Sequence, residues 1–374
     1  MAIELAGKAP LFQRGNHLNG AAMIPATAEE ISPDWLSLAL APSFPGVRVE
    51  AVDVVDWNAG TTGRARLLVR YAGAFAGEAP ASIFVKLPPA DEMQKMMVQF
   101  TGMGRREVAF YTHLAADVPV RCPRPYYAEA NDDGSAYLML LEDLAAAGCS
   151  FPALLGGGTR EYARDVVSAL ARLHARFWNS SRFNADLAWV DPPMRHEIGP
   201  RLVQQALDQF GDQMPEVFGR MARLYIERTD AICDLWEEGE QTLCHGDCHI
   251  GNHFIDGGEP GFLDWACVVR CTGVRDVSYF LTNSVAAALR RAEEADLLRR
   301  YRAALQEQGV AAPPFDELWR SHCRHAAYSW VAAVTTYAMG DKWQAVRHGR
   351  EATMRANAAL ECLGSVDVLE EDLG

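Results

Sequence analysis

The sequence of 374 residues is long enough for two domains or two large lobes, and 49% hydrophobic with 22% charged residues excludes a disordered chain. A formal net charge of −14 argues against nucleic acid or an anionic membrane as the main partner, while leaving room for a local cationic pocket. The opening segment, residues 1–15, has no apolar stretch of signal-peptide length, and the longest uncharged apolar run, 326–340, is too short for a bilayer span and reads as a buried helix. Nine scattered cysteines without a CxxC pair predict reduced thiols and a cytoplasmic location.

From the N-terminal side, 47–55 is a partly alternating β-branched run, 64–71 a second strand, and 81–87 a third, closed by Pro88 and Pro89. Apolar residues at helical spacing predict a helix over 91–116. Strands at 126–130 and 136–141 flank the turn Asp132-Asp133-Gly134. Beyond Glu142 the pattern turns to long amphipathic helices at 159–178, 200–238 and 286–308, interrupted by a compact non-helical stretch at 243–274. The chain therefore reads as α+β, with a β-rich N-terminal lobe over 1–141 and a mainly helical C-terminal lobe over 142–374.

The non-helical stretch holds the chemistry. It reads Cys244-His245-Gly246-Asp247-Cys248-His249-Ile250-Gly251-Asn252, followed by Phe262-Leu263-Asp264-Trp265. Phosphoryl transfer from a nucleotide needs a carboxylate to orient the attacking hydroxyl and oxygen ligands to hold Mg²⁺ against the phosphates. Asp247 suits the first role, and Asn252 with Asp264 suits the second.

The order HGDxHxxN then LDW resembles the aminoglycoside phosphotransferase and choline kinase superfamily, relatives of the protein kinases. Leu173-His174-Ala175-Arg176-Phe177-Trp178 and the segment 24–40 look most like its ecdysteroid-kinase-like branch. The resemblance runs from about Pro25 to Phe280 and implies a protein-kinase-like bilobal fold, with a nucleotide-binding first lobe and a second lobe for catalysis and acceptor binding. It implies ATP, or GTP in its place, with Mg²⁺ as cofactors and a small-molecule hydroxyl as acceptor. Neither nucleic acid nor a membrane span is expected, and a homodimer is compatible with it. Residue by residue, Lys86 matches the strand lysine that contacts nucleotide phosphates, and Glu107 the helix glutamate that holds it. Glu142, Asp143 and Leu144 resemble the hinge that meets adenine. Gly60, Thr61, Thr62 and Gly63 stand where the phosphate loop belongs, although a full GxGxxG is missing. Asp247 and Lys86 are the catalytic pair, and Asn252 and Asp264 the metal ligands.

Bland readings compete at each position. The phosphate loop alone is equally a plain hairpin, and Glu107 a solvated helix charge beside Arg105 and Arg106. His245 and His249 read as loop-fixing, His174 as a satisfied core histidine, and Asp276 as a helix cap or loop brace. Cys244, His245, Cys248, His249 and His253 superficially suggest zinc, but no second ligand pair is obvious. A pseudokinase would lack the base or a metal ligand, and both are present. For the acceptor, Trp319, Tyr328, Trp330, Tyr337 and Trp343 in the last helices, together with the ecdysteroid-kinase resemblance, favour a hydroxylated apolar compound of steroid, terpenoid or hydroxyacyl type. An aminoglycoside or a choline-like amine is the alternative.

Overall fold

The computed structural model describes residues 23–59, 62–73, 79–152, 158–340 and 346–374. They divide into two compact units. The first takes the described residues up to Ala116, with Pro123–Ala147 and Asp186–Trp189; the second takes Asp117–Cys122, Gly148–Ala185 and Val190–Gly374.

The first unit is built on an antiparallel sheet of β1 (Val49–Ala59), β2 (Gly63–Tyr71), β3 (Ser82–Leu87), β4 (Pro125–Ala130) and β5 (Tyr137–Glu142), in the order β1-β2-β3-β5-β4. Alternation along β2 buries Ala65, Leu67, Val69 and Tyr71. These join Ile83, Val85, Leu138 and Leu140 and the apolar face of helix α1 (Pro33–Leu40), whose Trp35, Leu36 and Leu40 cover the sheet. Ser32 caps α1 by accepting from Trp35 N, and Pro33 supplies a pre-set first turn.

The single helix expected over 91–116 is two helices. α2 (Glu92–Thr101) is capped by Asp91 and ends at Gly102 (φ +68°), where α3 (Met103–His113) begins. Gly104 decides where α3 lies, because a Cβ there would stand 2.3 Å from the Tyr137 ring on β5. Its absence lets α3 rest directly on β5, with Glu107 one turn further along the same face.

The second unit contains α4 (Arg160–Arg176), α5 (Ile198–Phe210), α6 (Glu216–Glu237), α7 (Val274–Ser284), α8 (Ala287–Glu307), α9 (Phe315–Met339), α10 (Val346–Leu363) and α11 (Ser365–Leu373). The expected helix over 200–238 is likewise split, between Phe210 and Glu216, by a short 3₁₀ turn at Gly211–Gln213 and Pro215 at the next cap. The core is Val203, Phe218, Met221, Ile232, Trp236, Trp330, Val334 and Leu360. The run 326–340 falls on α9, where Trp330 is fully buried. Two small antiparallel ribbons interrupt the helices: β6 (Gln241–Cys244) with β9 (Val269–Thr272), and β7 (His253–Asp256) with β8 (Glu259–Phe262). No helix among the described residues is long and apolar enough to cross a membrane.

Candidate active site

The loop 245–252 leaves β6 and enters β7, and nearly every polar group in it is tied down. Gly246 takes φ +84°, and a Cβ on it would lie 2.0 Å from the carbonyl oxygen of Cys267, so the position accepts only glycine. The buried carboxylate of Asp276, on α7, accepts from His245 N at 2.6 Å and Gly246 N at 3.0 Å, and His174 Nε2 lies 3.3 Å from it. Burial alone would raise the Asp276 carboxyl. The hydrogen bond and charge of His174, the field of His245 and the Gly246 N–H outweigh it and hold the group below its ordinary value. Asp276 is a brace from inside the helix, not its cap.

His245 is pushed down by burial against the pull of Asp276 and Asp247, which keeps the imidazole neutral. In that form Nε2 donates to Leu263 O at 3.0 Å, and Nδ1 accepts from Asp247 N at 3.2 Å. His253, pushed down to about 3 by burial, donates from Nε2 to Cys248 O and accepts from the Tyr162 hydroxyl at Nδ1. His249 caps the short turn Ile250–Asn252 by accepting from Gly251 N.

Asp247, Asn252 and Asp264 emerge from this framework. Asn252 Nδ2 donates to Asp247 O at 2.8 Å and to Asp247 Oδ2 at 3.0 Å. Leu263 N donates to Asn252 O at 2.9 Å, so Leu263 is held on one side by Asn252 and on the other by His245. The next residue, Asp264, sits at φ +63°, a left-handed conformation uncommon for a side-chain-bearing residue and characteristic of positions under functional constraint. The Asp247 carboxylate remains about one-third exposed.

Sequence reasoning singled out Tyr328 but missed Tyr279 and Arg275 in the wall beside this carboxylate. Burial and then the charge of Asp247 push the Tyr279 phenol, on α7, well above its ordinary value, and its ring lies 5.9 Å from that of Tyr328 on α9. The buried Arg275 guanidinium stands 3.5 Å over the Tyr328 ring centroid. Spacings of three and four residues, about two helical turns, link Asp276, Tyr279 and Asn283 on α7, which was a signal available only once Asp276 was known to face the loop.

In the first unit, Lys86 Nζ on β3 meets Glu107 Oε2 on α3 at 2.5 Å, both side chains being buried. Asp143 is buried and committed internally: Ser82 Oγ donates to it at 2.5 Å, Arg66 Nε lies 2.7 Å away, and its Oδ1 accepts from Ala145 N and Ala146 N. Its carboxylate fixes the turn after β5. The Glu142 side chain accepts from Arg124 N, and Leu144 is buried. Thr62 is buried with its Oγ accepting from Arg64 Nε, and Gly63 opens β2 opposite Leu87. Gly60, Thr61 and Trp343 lie outside the described residues.

The zinc alternative finds different atoms from those the sequence grouped. Among the described residues, the potential ligand atoms that come together are those of His174, Cys244 and Asp276. All three are buried and already hydrogen-bonded: His174 to Tyr301 and Asp276, and Cys244 Sγ to the carbonyls of Cys271 and Thr272. Burial pushes the Cys244 and Cys248 thiols well up, away from the thiolate that a metal or a nucleophilic step requires.

The sequence pattern of the phosphotransferase enzyme family matches residues 75–318, more than half of the chain and spanning Lys86 to Asp264. The chain belongs to the phosphotransferase enzyme family. As a member of that family it is a phosphotransferase, and the match does not single out the ecdysteroid-kinase-like branch. No curated protein matches the sequence. Similar solved structures include the GDP complex of aminoglycoside 2'-phosphotransferase-IIIa, at 14% identity and TM-score 0.49, covering 91% of this chain and 98% of that one. Ethanolamine kinase from Plasmodium vivax gives 10% identity, TM-score 0.48 and 87% coverage of both chains. A choline/ethanolamine kinase family protein from Mesorhizobium loti gives 13% identity and TM-score 0.47, covering 89% of this chain and 98% of that one.

Proposed function

We propose that this phosphotransferase moves the γ-phosphoryl group of ATP, or GTP, to a hydroxyl of a small molecule. The observation that carries the reading is the arrangement of Asp247, Asn252 and Asp264 on one braced loop system. Asp247 orients the acceptor hydroxyl and accepts its proton, its own carboxylate held in place by the Asn252 amide. With the Asn252 nitrogen engaged on Asp247, its Oδ1 and the Asp264 carboxylate are the hard-oxygen donors that would hold Mg²⁺. That ion supplies charge neutralisation on the phosphates. Lys86, kept in register by Glu107, serves as the phosphate-facing cation of the first unit. Thr62 and Gly63 contribute phosphate-loop backbone, and 142–144 the adenine hinge, with Asp143 bracing that hinge from behind.

For the acceptor, the Tyr279 and Tyr328 rings beside Asp247 support a hydroxylated molecule with an apolar body, of steroid, terpenoid or hydroxyacyl type. The fitting experiment is a nucleotide-consumption screen over hydroxylated lipids, steroids, sugars, aminoglycosides and choline, preceded by thermal shift with Mg²⁺ and ATP or GTP. Nucleotide at one hundred times Kd stabilises the fold by about 2.7 kcal/mol. Absence of any shift with either nucleotide at millimolar concentration would remove the reading.

A further inference from the structure

A cavity of about 290 Å³ lies in the helical unit, and its lining contains no residue of the 245–252 loop. It sits at the end of the β6–β9 ribbon away from that loop. Gln241, which follows the lining residue Glu240, pairs there with Thr272, whereas Cys244 at the other end pairs with Val269 and runs into His245. The inner lining is buried, with Val274, Leu318 and Tyr301 beside Thr272, and the half-buried Trp178 adds an indole.

Thr272 is the observation that asks for a ligand. The residue is only 8% exposed, yet among the described residues its Oγ1 has no hydrogen-bond partner, although buried hydroxyls nearly always find one. A Cβ on Gly239, another lining residue, would meet Thr272 Oγ1 at 3.8 Å, so the hydroxyl is turned to the cavity side. The other buried hydroxyl of the lining is already engaged, Tyr301 being hydrogen-bonded to His174 Nδ1 at 2.8 Å.

The charges around the cavity choose the ligand's sign. Arg320 and Arg324 belong to the lining but each already holds two carboxylates, Glu371 with Asp372 and Glu238 with Asp372. The acidic members are not matched in the same way. Glu240 is hydrogen-bonded to the neutral amide of Asn179, and among the described residues Glu317 has no ionic or hydrogen-bond partner. The lining is therefore left net negative, beside an indole face that favours a cation. A metal ion would need several carboxylate oxygens brought together, and among the described residues the ligand atoms that converge are those of His174, Cys244 and Asp276 instead. Dispersed carboxylates over an apolar, aromatic lining suit an ammonium group on an apolar body. At about 30 Å³ per water, the space takes a molecule of roughly ten non-hydrogen atoms.

We infer that this cavity is a second ligand site, one that binds a small organic amine as its ammonium ion. Glu317 and Glu240 supply the countercharge, the Thr272 hydroxyl accepts from the ammonium, and Trp178, Val274 and Leu318 cover the apolar body. The site stands apart from the reading of Asp247 and holds whether or not that residue is a catalytic base.

The test titrates phenethylammonium into the full chain by calorimetry, without nucleotide, against its neutral counterpart 2-phenylethanol. The amine probe carries no hydroxyl to phosphorylate. Glu317→Gln changes an exposed side chain, and Thr272→Val keeps the shape of a hydroxyl that has no partner to lose, so both variants keep the fold. Asp316→Asn removes the neighbouring exposed carboxylate, which does not line the cavity. Wild type should bind the amine with a millimolar or tighter Kd and bind the alcohol at least about fivefold more weakly. Glu317→Gln should lose about tenfold in affinity and Thr272→Val about three- to tenfold, while Asp316→Asn stays within about twofold. The inference is overturned by no saturable binding of the amine up to about 20 mM, by equal binding of the alcohol, by wild-type affinity in either cavity variant, or by an equal loss in Asp316→Asn.

Discussion

Asn252 Nδ2 donates to both the backbone oxygen and the carboxylate of Asp247, at 2.8 and 3.0 Å. One side chain thereby closes the loop and holds the carboxylate proposed as the base. An aspartate at this position would fit the space and reverse the interaction, setting carboxylate against carboxylate. Asn252→Asp should cut phosphoryl transfer by at least about 10², within the span of a lost positioning contact to a catalytic base. Steady-state turnover measures it, and a variant within threefold of wild type would show that the amide is dispensable.

The Lys86–Glu107 pair is buried on both sides, so removing one charge leaves the other uncompensated by it in a low-dielectric setting. Glu107→Gln should destabilise by about 3–5 kcal/mol in urea unfolding. The double replacement Lys86→Met/Glu107→Leu should recover most of that loss while nucleotide affinity stays low. Recovery of nucleotide binding in the double variant would separate Lys86 from the phosphates.

Asp276 ties pH to the loop. Its carboxyl is held below the ordinary range by His174, His245 and the Gly246 N–H acting against burial. A lowered folded pKa contributes stability that is fully present above the unfolded value, about 3.9, and is lost as pH falls from there through the folded one. Asp276→Asn should therefore cost about 1.5–3 kcal/mol at pH 7. The gap to wild type should shrink below about pH 4. A gap that stayed constant under acid would mean that the charge contributes nothing.

Gly246→Ala meets both a positive φ and the Cys267 carbonyl at 2.0 Å. It should destabilise by about 3 kcal/mol and abolish transfer. Thermal melting near wild type with retained activity would contradict the loop geometry.

Much of this loop was legible in the sequence because its chemistry is compressed into one stretch. The spacing of Asp247, Asn252 and Asp264 is what suggests the roles proposed for them, and His245 and His249 read as loop-fixing, which their hydrogen bonds match. The sheet was legible for a related reason: β2 and β3 alternate or run apolar between turn residues. The helix breaks after Thr101 and Phe210 were not, because apolar spacing continues across Gly102 and across 211–215. Tertiary partners were hardest. Nothing in the sequence ties Tyr279 to Asp247, or marks Asp143 as a brace rather than a contact, since both depend on which elements pack together. The return of Asp186–Trp189 to the first unit likewise leaves no periodic trace.

The most direct test of the central claim is Asp247→Asn, which keeps the shape of the side chain and removes its charge. Mg²⁺–ATP binding by thermal shift should persist, while transfer to the acceptor found in the screen, or hydrolysis by water in its place, should fall by about 10²–10⁴. Transfer at the wild-type rate in Asp247→Asn would make Asp247 a turn residue and contradict the proposed mechanism.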